Sequence, residues 1–161
     1  MRFTTEETLK VFARLFQTCL LALALLAGAS LVTAPARAAS ALGVSVQADT
    51  VVFRFTPSRF RMVVSGATSR WMRLGELKLR EVTVAGPWNQ WSAEAWPLHA
   101  RRGYYELRCP LNAVADHDTV QFKFVVNGQW WVQPPPDAPN QINAGLGDTT
   151  MNLFFVRPRT P

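Results

Sequence analysis

One stretch decides the fold: Thr119-Val-Gln-Phe-Lys-Phe-Val-Val-Asn-Gly-Gln-Trp-Trp-Val-Gln133. Its first half alternates, with Val120, Phe122, Phe124 and Val126 on one side and Gln121, Lys123 and Val125 on the other. A period of two is the pattern of a strand with one face on a core. It predicts that Phe122, Phe124 and Val126 are buried and that Lys123 faces solvent. Asn127-Gly128 then marks a hairpin, because both residue types tolerate positive φ. Trp130 and Trp131 open the returning strand on opposite faces, so one of the two rings points away from the core.

Outward from this hairpin the same kind of run recurs. Segments 50–56, 60–65, 70–74, 81–85, 104–109, 130–133 and 150–157 are short, rich in Val, Phe, Thr and Tyr, and separated by Gly, Pro and Asn. No amphipathic helical pattern follows residue 40. Short strands at this spacing predict an all-β fold of two packed sheets. Pro134-Pro-Pro-Asp-Ala-Pro139 cannot feed a central ladder and reads as a loop, as does the irregular stretch 140–148 after it. Region 60–80 reads as a hairpin turning near Ser65-Gly66, and it carries Arg59, Arg61, Arg70, Arg73, Lys78 and Arg80. These charges are either a solvated edge that discourages sheet-to-sheet pairing or a patch for an anionic surface or a protein partner.

The first forty residues have another character. Lys10 and Arg14 precede an apolar run from Cys19 to Val32, and Ala36-Arg37-Ala38 follows it. A basic start, a short apolar core and an A-x-A site describe a secretory signal helix. The apolar run is shorter than the roughly 20 residues of a membrane-spanning helix, which disfavours an uncleaved anchor. The sequence therefore predicts a signal peptide over 1–38 and one β-sandwich domain over 39–161, periplasmic or secreted, with no stable membrane span after processing. Four of the 17 basic residues and two of the 11 acidic ones would leave with the signal, taking the formal net charge from +6 to +4. That balance lacks the dense basic runs of a nucleic-acid binder. Cys109 would be the one thiol left, so no intrachain disulfide is available.

Three segments resemble a known family: Val82-Thr-Val-Ala-Gly-Pro-Trp-Asn-Gln-Trp91, Phe122-Lys-Phe-Val-Val-Asn-Gly-Gln-Trp130 and Gly147-Asp-Thr-Thr-Met-Asn-Leu-Phe-Phe-Val156. In this order they are similar to the family 48 carbohydrate-binding module, the glycogen-binding domain of the AMP-activated kinase β subunit and the early-set domain of branching and debranching enzymes. The resemblance implies an immunoglobulin-like early-set β-sandwich that binds α-1,4-glucans. It implies that Trp91 and Trp130 stack on sugar rings and that Lys123 donates a hydrogen bond to sugar hydroxyls. Counting back from Val156 puts Met151 where the family has an asparagine, which leaves Asn152 or Asn140 to supply that contact. About twenty extra residues, including the basic hairpin, separate the first strand from the G-P-W-N-Q-W segment.

Catalysis finds no support in the sequence. No pair of carboxylates stands in a setting suited to glycoside hydrolysis, and no metal-ligand cluster, nucleophile elbow or phosphate loop is present. The reading is a non-catalytic module, without cofactor or metal, whose partner is an α-glucan or related polysaccharide. The alternative is a protein-interaction or envelope-assembly sandwich with a vestigial sugar site.

Overall fold

The computed structural model describes residues 41–145 and 150–158; the segment 1–38, read from the sequence as a signal peptide, lies outside the described residues. Within them, eleven strands make two antiparallel sheets. The smaller holds β1 (Val44–Gln47), β2 (Thr50–Phe55), β7 (Tyr104–Pro110) and β6 (His99–Arg101), in that spatial order. The larger runs β10 (Gln141–Asn143), β11 (Met151–Val156), β8 (Thr119–Val126), β9 (Trp130–Gln133), β3 (Met62–Ser65) and β4 (Trp71–Arg73), with β5 (Val82–Ala85) also paired to β8. Among the described residues no helix is long and apolar enough to cross a membrane.

The core is aromatic and joins the sheets. Phe53 on β2 meets Phe122 on β8 at 5.1 Å between ring centroids, and Phe55 meets Phe124 at 5.2 Å. Phe122, Phe124 and Val126 are buried, as the alternation of β8 predicts. Edge-to-face and tilted pairs of this kind add to the area that each ring removes from water. Trp88 stacks on Phe53 and meets Trp96 edge to face, so both indoles extend the core.

Eight of the strands fall where the sequence places them, within a residue or two at their ends. Strands β1, β6 and β10 were not legible, and all three are short edge strands. The basic hairpin is no appendage. β3 pairs with β9 over Met62–Ser65, β4 pairs with β3, and Leu74 beyond it returns to the core. Arg61, Arg70 and Arg73 are exposed.

Candidate functional site

A cleft of about 980 Å³ opens on the face of the larger sheet that points away from the core. β8 supplies its floor, because Thr119, Gln121 and Lys123 are the residues that alternate away from Phe122 and Phe124. Asn152 on β11 and Trp131 on β9 extend that floor.

The G-P-W-N-Q-W segment builds one wall, with Pro87 and Trp91 lining the cleft. Trp88 folds down onto Gly86, where a Cβ would stand 2.2 Å from the indole, so no larger residue fits there. Asn89 ties the turn to β5, donating from Nδ2 to the Val84 carbonyl at 3.0 Å and accepting from Gly86 N–H at 3.0 Å. Gln90 and Trp91 then adopt left-handed backbone, at φ 55° and 58°, and Trp91 N–H closes on the Gly86 carbonyl at 2.9 Å. Two successive non-glycine residues in this region cost about 1–2 kcal/mol each. The result is a chain reversal that sends Trp88 inward and Trp91 to the cleft. The loop beyond is fastened by Thr83, whose hydroxyl donates to the Ala93 carbonyl at 2.6 Å.

The opposite wall is the turn between β3 and β4. Gly66 lies against Trp131, where a Cβ would stand 2.7 Å from Nε1, and Ser65 and Ser69 line the cleft beside it. The turn of the basic hairpin, read from the sequence as a solvated edge or a partner patch, thus contributes to this cleft.

Lys123 departs from its expected exposure: only 6% of the residue is accessible. The alternation gives its side correctly, but that side is walled by the G-P-W-N-Q-W turn and the turn between β3 and β4. Its ammonium has no hydrogen-bond or ion-pair partner among the described residues, and burial pushes it down to about 8. Asn152 is buried and donates from Nδ2 to Gln121 Oε1 at 2.9 Å. That bond leaves Asn152 Oδ1 as an acceptor and Gln121 Nε2 as a donor. The described lining contains Lys123 and His117 but no carboxylate.

Of the five residues singled out in the sequence, Trp91, Lys123 and Asn152 meet in this cleft. Trp130 does not. It pairs with Val126 and packs against the core, while Trp131 pairs with Val125 on the Lys123 side. The loop is the reason: Asn127, Gly128 and Gln129 all stay outside the ladder, and an odd loop residue reverses the facing of the returning strand. Asn140 is likewise removed from the site. It is buried, accepts from Leu42 N–H at 2.7 Å, and donates to the Leu42 and Phe154 carbonyls at 3.1 and 2.8 Å. The sequence did not single out Gln121, although it shares the outward set of Lys123; the resemblance put the second stacking ring at Trp130, whereas the three-residue loop brings Trp131 to that side.

No family model matches the chain, and no curated protein matches it in sequence.

Proposed function

We propose that this chain is an exported, non-catalytic module that binds α-1,4-linked glucose chains in the cleft between Trp91 and Trp131. The observation that supports this reading is the meeting of two indoles with a buried Lys123 and the Asn152–Gln121 pair. Flat indole faces cover the apolar faces of sugar rings at small entropic cost, since Trp has few rotamers to freeze. Lys123, Gln121 and Asn152 then offer donors and an acceptor to the hydroxyls at the ring edges. With no carboxylate in the described lining, the acid and nucleophile of glycoside hydrolysis have no candidates there.

Calorimetric titration with maltoheptaose and glycogen tests the reading. Wild type binds weakly and with little salt dependence, because a neutral sugar releases no counterions. Trp91→Ala and Trp131→Ala each lose about 1–3 kcal/mol, by analogy with stacking on aromatic platforms elsewhere. Trp130→Ala lowers stability more than affinity. Absence of wild-type binding at millimolar sugar ends the glucan reading. Export is tested separately: material from the cell envelope should begin at Ala39, and intact Met1 protein in membranes would replace secretion with an anchor.

A further inference from the structure

The cleft does not hold all of the aromatic surface on its side of the sheet. Trp71 on β4 is 42% exposed and is the one tryptophan among the exposed large apolar residues described. The register fixes where it points. Val64 pairs with Trp71 on one side and with Trp131 on the other. Directly opposed residues of antiparallel strands project to the same face, so Trp71, Val64 and Trp131 form a row across β4, β3 and β9. Val64, 8% exposed, lines the cleft between the two indoles. Trp71 stands at the end of the row, on an edge strand of three residues.

An indole in that place gives the core little, because so much of it remains in water. It also adds apolar area to a sheet edge, where natural proteins usually avoid it. Two strand spacings separate it from Trp131, roughly 10 Å. That is more than the width of one hexose ring, so the two indoles lie under different residues of one chain. Arg73 shares this face two residues along β4 and is exposed, placing donors beside the ring.

We infer that Trp71 is an outer stacking subsite for the same glucan, engaged by chains long enough to leave Trp131 and cross Val64. The inference rests on the glucan reading and adds to it a preference for chain length. Titration of wild type, Trp71→Ala and Trp71→Tyr with maltotriose and with maltoheptaose tests it. Trp71→Ala should weaken maltoheptaose binding about tenfold, the size of one lost stacking contact, and leave maltotriose binding unchanged. Trp71→Tyr should recover most of the loss, and the melting temperature of both variants should match wild type. Equal weakening on both sugars, or no change on maltoheptaose, overturns the subsite while leaving the cleft in place. Wild type that binds neither sugar overturns the cleft and the subsite together. A change in elution from dimer to monomer on Trp71→Ala would assign the ring to a second copy of the chain and likewise overturn the subsite.

Discussion

Lys123 shows how far a single residue can be read from its neighbours in sequence. Alternation along β8 put it opposite Phe122 and Phe124, and that is where it lies, but alternation is blind to what a distant loop folds over it. Turns at 65–69 and 87–91 close around it, and its ammonium is held down to about 8 by the lost hydration. An unfolded lysine releases its proton near 10.4. Between these values the unfolded chain binds more protons than the folded one, so stability rises with pH across that window. Below about 8 both states are charged and the cost of burying the ammonium is carried in full. Lys123→Met, apolar and of similar length, should therefore be more stable than wild type at pH 7 by on the order of 1–3 kcal/mol. The gap should close as pH passes 10, in urea titrations run at several pH values; a gap that does not change with pH would mean the ammonium is solvated. Asn140 teaches the converse. Nothing in its loop setting told a sugar ligand from a structural bridge, because that distinction depends on Leu42, far away in sequence. Three hydrogen bonds join its side chain to Leu42 and Phe154. Asn140→Ala leaves those buried groups unpaired and should cost about 2–4 kcal/mol, with glucan affinity unchanged among the molecules still folded.

At the scale of elements, strong strands declare themselves and weak ones borrow their conformation. β8 has an apolar residue at every second position and was legible to the residue. β1, β6 and β10 include Ser45, Gln47, His99, Arg101, Gln141 and Asn143, with little β preference of their own, and form by pairing with β2, β7 and β11. The hairpin after β8 was legible in kind but not in register. Asn127 and Gly128 have positive φ of 52° and 70°, as their types suggest. Asn127 is also recruited by a neighbouring segment, accepting from Arg80 N–H at 2.9 Å and donating to the Lys78 carbonyl at 3.0 Å. Gln129 stays out of the ladder, which settles which indole reaches the cleft. The turn between β3 and β4 then sets how that indole lies. Gly66→Ala would drive a methyl group into Trp131 Nε1, and since Gly66 does not have a positive φ its backbone should tolerate the change. The expected outcome is a loss of about 1 kcal/mol in maltoheptaose binding, part of one stacking contact, with a melting temperature close to wild type. A large fall in melting temperature with affinity intact would instead make this packing structural.

At the scale of the whole sandwich, the free thiol of Cys109 is as informative as the sheets themselves. The sheet class was legible, Cys109 is a free thiol, and the described residues are held by packing between the sheets. Cys109 lies on β7, an interior strand of the smaller sheet, with its sulfur 3.9 Å from the Val51 carbonyl. It is buried, and burial pushes its thiol up to about 11, so at neutral pH it is protonated and largely shielded. Reaction with a thiol reagent thus requires β2 and β7 to part or the domain to unfold. In the chain beginning at Ala39, where Cys109 is the sole cysteine, labelling becomes a measure of opening. Reductant should leave the melting temperature unchanged. Labelling should be slow in buffer and complete in denaturant. Phe124→Ala removes a ring that packs on Phe55, Phe60 and Phe122 and should cost about 3–5 kcal/mol. Phe124 is on the other sheet from Cys109, so the two are linked only if the sheets open together. Labelling should then accelerate by the factor that corresponds to the loss of stability, roughly tenfold for each 1.4 kcal/mol. An acceleration far smaller than the destabilisation would show that Cys109 is reached by local parting of β2 and β7, and that the smaller sheet opens without the larger one.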